Sequence, residues 1–136
     1  MKKCLSILLC LAMAVCLVAC SGGINTDEAK AHITSFLEAV EQADYEATKT
    51  YLHPDRPADL ATFFANVESK EGLDFSAGIQ IERFTGFSYS YYDSTVGGSA
   101  CAWDIQLTVG TQRVEAEIEV VSNENGYGIY NFEIDT

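Results

Sequence analysis

Apolar residues in the first part of the globular chain recur every three or four positions, the period of an amphipathic helix. This spacing predicts a helix over Thr26–Ala43. Asn25 and Glu28 have the spacing of a capping box at its start. One face of the helix is expected to be buried through Ile33, Phe36, Leu37 and Val40.

Two further helices are expected before residue 73. The stretch ADYEATKTYLHPD predicts a short second helix that ends before Pro54, because a residue preceding proline is pushed out of helical geometry. We expect Asp55 to cap the third helix and Gly72 to end it. The apolar positions of the third helix are Leu60, Phe63, Phe64 and Val67.

After Gly72 the apolar period changes from helical to two, which is the period of a half-buried strand. A first strand is expected over Ile79–Tyr92, with Gly86 at a bulge. Three more strands are expected around residues 101–109, 114–120 and 130–134. The sequence therefore predicts an α+β domain, with N-terminal helices packed on a curved antiparallel sheet of about four strands. The helices should cover one face and leave a wet face that carries Glu115, Glu117 and Glu119.

The first 19 residues have the three parts of a secretory signal peptide. Lys2 and Lys3 precede an apolar run of 15 residues, Leu5–Ala19, interrupted only by Ser6. As a helix this run would be about 22 Å long, whereas a bilayer core is about 30 Å thick. The run is therefore expected to be a cleaved signal rather than a membrane span.

The end of this run resembles the lipobox of bacterial lipoproteins, through Leu17-Val18-Ala19-Cys20. The resemblance implies that the Cys20 thiol receives diacylglycerol and that a peptidase cuts just before it. Residues 1–19 would then be the signal, 20–25 the lipidated cysteine with a short linker, and 26–136 a single domain. The expected location is the extracytoplasmic face of the cell membrane, held by the lipid.

Charge and cysteine content narrow the functions of the mature chain. Loss of Lys2 and Lys3 leaves 6 basic against 20 acidic residues, a net charge of −14. Such a charge repels phosphate backbones, so nucleic acid is not an expected partner. Cys101 would be the only cysteine besides the lipidated one, which excludes an intrachain disulfide. We expect it to be a buried small apolar residue.

Two stretches, FLEAVEQADYEATKTYLHPD and NENGYGIYNFEID, resemble the opening helices and closing strand of nuclear transport factor 2-like (cystatin-like) domains. The resemblance implies a cone-like fold, in which a curved sheet wraps around the helices and leaves an apolar pocket. It also implies homodimerisation through the sheet face. That superfamily includes isomerases, dehydratases and small lipoproteins without known activity, so the fold does not choose the function.

Few residues suggest chemistry. An acid or histidine inside the cone is the expected feature of an enzyme, and the candidates are Asp104, His53 and Arg83. Asp104 is expected to be solvated on the outer face, and His53 to have a surface or capping role. Neither histidine has the spacing of a metal site, and no cofactor is expected.

An aromatic run on the first strand is the main candidate for binding. Phe87, Tyr89 and Tyr91 share one strand face. They are expected either to line the mouth of an apolar cavity or partner-binding surface, or to be ordinary core and rim residues.

The sequence favours a membrane-anchored, non-catalytic module that binds a small apolar molecule or an envelope protein. One alternative is a small isomerase or dehydratase that uses an acid in the cone pocket. Another is a structural spacer without a ligand.

The lipid anchor is directly testable with metabolic labelling. We expect the chain to incorporate labelled palmitate in a bacterial host, and Cys20→Ser to abolish the label because the acceptor thiol is lost. Cys16→Ser is the matched control and should retain the label, since Cys16 leaves with the signal. Label that persists in Cys20→Ser would contradict the lipobox.

Overall fold

Three helices lead into one antiparallel sheet in the computed structural model, which describes residues 23–91 and 97–136, without the side chains of residues 90 and 91. The helices are α1 (Thr26–Glu41), α2 (Tyr45–Lys49) and α3 (Leu60–Glu71), followed by a 3₁₀ turn at Phe75–Ala77. The strands are β1 (Ile79–Tyr91), β2 (Ser99–Val109), β3 (Gln112–Asn123) and β4 (Gly126–Asp135). They form an open sheet in the order β1-β2-β3-β4, so the predicted α+β class and strand number are confirmed.

The start of α1 is as predicted, and the start of α3 is not. Asn25 Oδ1 accepts the backbone N–H groups of Asp27 and Glu28, at 3.0 and 3.1 Å. The cap of α3 is Asp59, whose carboxylate accepts the N–H of Thr62 at 3.2 Å. The expectation that Asp55 caps this helix is wrong because its carboxylate instead accepts side-chain N–H groups from the β3–β4 turn.

The helices cover one face of the sheet, and the core lies between the two layers. The predicted alternation in β2 is confirmed, since Trp103, Ile105 and Leu107 are buried while Asp104 between them is exposed. The largest fully buried helical side chains facing the sheet are Phe36 of α1 and Phe64 of α3. Burial of each such side chain contributes about 1.5–3 kcal/mol. In the part of the chain described here, no helix is both long and apolar enough to span a bilayer.

The sheet is irregular at its first strand. The pairing of β1 with β2 shifts register between Ile81 and Arg83, and again between Phe84 and Gly86. A Cβ atom at Gly86 would collide with the carboxylate of Asp104 on the neighbouring strand. The predicted irregularity at Gly86 is therefore confirmed, and the close approach of this acidic side chain explains why the residue there has no Cβ.

The face of the sheet away from the helices is acidic. Glu117 lies directly between Asp104 of β2 and Glu133 of β4, and Glu115 lies opposite Asp135. All five of these residues are exposed. The predicted wet face is thus confirmed for Glu115 and Glu117, whereas Glu119 is half-buried. One row of carboxylates crosses three strands, an arrangement in which like charges destabilise the sheet.

Reversing the central charge of this row should stabilise the domain. Glu117→Lys would place a cation between two carboxylates, and we expect the free energy of unfolding to rise by about 0.5 kcal/mol at low salt. The gain should shrink at 1 M salt because exposed charges are then screened. Urea denaturation at both salt concentrations measures it, with Glu124→Lys in the β3–β4 turn as the charge-matched control. An equal gain in both variants would assign the effect to net charge rather than to the row.

Candidate functional site

The segment after α2 pairs with the free edge of β4 at a single residue. Leu52 forms a parallel bridge with Ile129. The N–H of Ile129 donates to the Tyr51 carbonyl at 2.8 Å, and the N–H of His53 donates to the Ile129 carbonyl at 2.9 Å. Gly128 makes this approach possible, because a Cβ there would lie 2.5 Å from the His53 nitrogen. The segment therefore covers the start of the β4 edge and no more of it.

His53 anchors this segment and is only 1% exposed. Its Nδ1 accepts the N–H of Asp55 at 3.0 Å, so in the neutral ring the proton is assigned to Nε2. Nε2 lies 3.0 Å from Asn123 Oδ1 and 3.1 Å from the Gly126 carbonyl, and can donate to either. The expected surface position is wrong, and the bond from Asp55 holds a loop, since Thr50 and Asp59 are the caps of the flanking helices. Both ring nitrogens are thus engaged in holding the turn.

Next to this segment, an apolar cleft lies between α3 and β4. One cavity of about 460 Å³ lies under residues 56–58, with Phe36, Leu60 and Ile129 among its lining residues. A second of about 320 Å³ continues toward the end of β4, between Val67 and Ile134. The two cavities adjoin, since both are lined by Phe63, Phe132 and Glu133. Between them the Phe63 and Phe132 rings meet edge to face, with centroids 5.8 Å apart, so the cavities lie on either side of this contact. We call the two adjoining cavities together the α3–β4 cleft.

Charged groups mark the two ends of the α3–β4 cleft. At the end near the His53 turn, the Arg56 guanidinium lies over the Tyr130 ring, 4.8 Å from its centroid, and donates to Asn131 Oδ1 at 2.9 Å. At the other end, near the end of β4, Lys70 pairs with Glu71 at 3.3 Å. The lining is thus mixed: apolar residues of both cavities lie among polar ones, with Asn66, Glu133 and Asp135 also lining the second cavity. Such a site suits a ligand with apolar and polar parts.

A third cavity of about 560 Å³ lies beside the His53 turn and shares Leu52, Pro57 and Ala58 with the lining of the α3–β4 cleft. Its lining includes Lys49, His53 and Asp59. Asp59 is occupied as the cap of α3, where its bonds to Thr62 hold the pKa of the carboxyl below its usual value. His53 is also engaged in hydrogen bonds, so Asp59 and His53 both have structural roles at this cavity.

The aromatic residues predicted to bind lie at the opposite edge of the sheet. Phe87 and Tyr89 are on β1, 53% and 40% exposed, and Phe87 packs on Trp103 with ring centroids 5.2 Å apart. The Tyr91 side chain lies outside the described residues, as does the whole of Cys20. Phe87 and Tyr89 thus form a second exposed apolar surface and do not line the α3–β4 cleft.

The remaining candidates occupy places where structure explains them. Asp104 is exposed on the acidic face, as expected, and Arg83 lies opposite Gln106 on that same face. Cys101 is buried, and burial together with the charge of Glu119 raises the pKa of its thiol to about 12. A thiol with that pKa stays protonated, which confirms the expected role as a small apolar residue.

Two chemical features of residues 23–91 and 97–136 bear on catalysis. No three His, Cys, Asp or Glu side chains are grouped there to hold a metal ion. The Tyr127 hydroxyl is buried without a hydrogen-bond partner in that part of the chain, and burial raises its pKa to about 12. Neither observation adds a catalytic group to the cleft.

Comparisons of the chain with protein-family models, with curated proteins and with solved structures found no match. The candidate site is therefore defined by geometry. Its defining features are the two adjoining cavities of the α3–β4 cleft, the aromatic contact between them and the charged groups at the two ends.

Sequence patterns missed the cleft, although one signal pointed toward it. Phe63 was expected in the core, yet it is 36% exposed at the cleft wall. The apolar stripe of α3 has four positions, but only two of them, Leu60 and Phe64, are buried. The stripe is therefore wider than the surface that packs on the sheet. A strand that is last in a meander is also an edge strand, which places Phe132 beside open space.

The turn held by His53 should be sensitive to loss of its ring nitrogens. His53→Phe keeps an aromatic ring but leaves the Asp55 N–H and the Gly126 carbonyl without their partner. We expect the free energy of unfolding to fall by about 1–3 kcal/mol, measured by urea denaturation. Lys49→Ala, on the wall of the same cavity, should change it by less than about 0.5 kcal/mol. A His53→Phe variant as stable as the parent would contradict the assigned hydrogen bonds.

Proposed function

We propose that the protein is a membrane-anchored extracytoplasmic binding module that holds its ligand in the α3–β4 cleft and performs no catalysis. The ligand is an apolar small molecule or a segment of an envelope protein. The observation that carries this proposal is the pair of adjoining cavities between α3 and β4, which share Phe63 and Phe132 as lining residues.

The size and lining of the cleft support binding. Its larger cavity, about 460 Å³, falls within the range of about 300–1,000 Å³ common for ligand sites. Phe63 and Phe132, whose ring centroids are 5.8 Å apart, supply aromatic surface from both walls. Aromatic side chains contribute large contact areas when a ligand covers them.

The placement of the acid–base candidates favours binding over catalysis. His53 has both nitrogens engaged in hydrogen bonds within the turn. Asp104 lies on the sheet face away from the helices, where water solvates it. An enzyme of this architecture would need such a group inside a closed pocket with a free lone pair or proton.

The anchor is supported by the lipobox at Cys20 and by the short segment that follows it. Helix α1 begins at Thr26, six residues after Cys20. Five flexible linker residues reach about 12 Å on average. The module would therefore lie close to the membrane surface, within reach of neighbouring envelope components.

A nuclear transport factor 2-like cone is the finer fold that we propose. It is supported by the order of the elements, three helices followed by a four-stranded meander, and by the packing of those helices on one sheet face. In that arrangement the cleft would be a side opening of the cone rather than its interior, because Phe36 and Phe64 fill the core beneath it.

Photocrosslinking in cells that export the protein tests the cleft. We expect p-benzoylphenylalanine in place of Phe63 to give a discrete adduct on irradiation, detected by intact mass or gel shift. The same residue in place of Phe87, which is more exposed, is the matched control and should give none. An adduct at residue 87 alone would move the function to the β1 surface, and no adduct at either residue would favour the spacer.

A further inference from the structure

The outer edge of β4 is a free template for strand pairing. β4 is the last strand of the sheet, and Leu52 pairs with it only at Ile129. Within residues 23–91 and 97–136, no other strand lies along its outer edge from Asn131 to Asp135. Five strand residues extend about 17 Å. A free edge of this length exposes backbone groups that another extended chain can bind.

The α3–β4 cleft runs beside this edge, and its side-chain spacing fits an added strand. Phe132 and Ile134 face the helix side of the sheet, as shown by their pairing with Ile118 and Ala116. Phe63 and Val67 line the opposite wall, one helical turn apart. One helical turn rises about 5.4 Å, close to the roughly 6.8 Å between alternate strand residues. Side chains of an added strand would alternate between the two sheet faces, so every second one would lie on the helix side against the exposed surface of Phe63.

The other face of the same edge is negatively charged. Glu133 and Asp135 lie in register with Glu117 and Glu115 of the acidic face, and both also border the cleft, since Glu133 lines both cavities and Asp135 lines the second. In the part of the chain described, neither Glu133 nor Asp135 forms an ion pair. The side chains of an added strand that do not enter the cleft would lie next to these carboxylates, where Lys or Arg is favoured.

A second copy of the chain is a poor occupant of this edge. Pairing β4 with another β4 would bring two sets of Glu133 and Asp135 together on adjacent strands. The whole chain also has a net charge of −12, which opposes self-association. The charge pattern instead fits a segment of opposite sign.

We propose that the α3–β4 cleft binds an extended peptide segment with alternating apolar and basic residues, which adds to β4 as a fifth strand. This inference rests on the proposed binding function of the cleft and names the class of its partner. Backbone hydrogen bonds would supply affinity, while the apolar side chains in the cleft and the basic ones on the acidic face would supply specificity.

Peptide selection tests the proposal directly. The probe is a phage-displayed library of random peptides, selected on the full-length chain in detergent micelles. We expect enrichment of sequences in which apolar residues alternate with Lys or Arg. A selected peptide should lose affinity about tenfold or more on Phe63→Glu, which charges the cleft wall, and on Glu133→Lys, which reverses the edge charge. Phe87→Glu on β1 should bind like the parent.

Backbone methylation separates strand addition from simple charge attraction. The same peptide with alternate amide nitrogens methylated keeps its side chains but loses the N–H donors on one edge, and one of the two methylation registers should abolish binding. Glu133→Lys changes an exposed residue, so it keeps the test valid where Phe63→Glu fails to fold. Binding that survives both registers overturns the proposal, as does enrichment without alternation.

The remaining outcomes distinguish this proposal from the function on which it rests. A small-molecule adduct at residue 63 with no enriched peptide leaves the cleft as the site and overturns the peptide. No adduct and no peptide overturns both. A dimer in analytical ultracentrifugation that Phe63→Glu disrupts would assign the cleft to a second copy and also overturn the peptide.

Discussion

The contact between the helices and the last strand positions every feature of the cleft. The Phe36 and Phe64 rings lie 5.5 and 5.6 Å from the Phe132 ring, which joins α1, α3 and β4 in one aromatic cluster. Replacing a buried aromatic ring by alanine typically costs about 3–5 kcal/mol. Because Phe64 holds the buried side of α3 against the sheet, Phe63 beside it is left facing the groove. The opening between α3 and β4 is thus a consequence of how the core is packed.

Local patterns predicted the elements well, and long-range contacts decided the site. The Asn25 cap and the alternation along β2 depend on neighbouring residues, so the sequence contains their full signal. The roles of His53 and Asp55 depend instead on the β3–β4 turn, about 70 positions later in the chain. In the sequence, Asp55 lies two residues before Pro57 and has the pattern of a helix cap. Only the folded structure brings the Asn123 and Asn125 amides to its carboxylate. The cleft was missed for the same reason, since its two walls come from separate halves of the fold.

The two edges of the sheet differ in how they are protected. β1 shifts register twice against β2, and such bulges make an edge a poorer template for pairing. β4 shifts register once, between Glu119 and Val120 of its partner strand, and this shift lies next to the segment that already covers Ile129. From Asn131 to Asp135 the pairing of β4 with β3 is regular. The edge beside the α3–β4 cleft is therefore the one that retains regular strand geometry.

The alternation of β4 connects the cleft to the charge of the whole molecule. Phe132 and Ile134 contribute to the apolar groove, while Glu133 and Asp135 extend the carboxylate rows of β2 and β3. A partner that contacts both faces of the strand must therefore present apolar and basic side chains alternately. A compact apolar molecule has no such alternation. The same negative charge keeps the domain from adsorbing to anionic headgroups, so residence at the membrane would depend on the lipid proposed at Cys20. Under that arrangement the acidic face stays free of the bilayer and open to basic segments in the envelope.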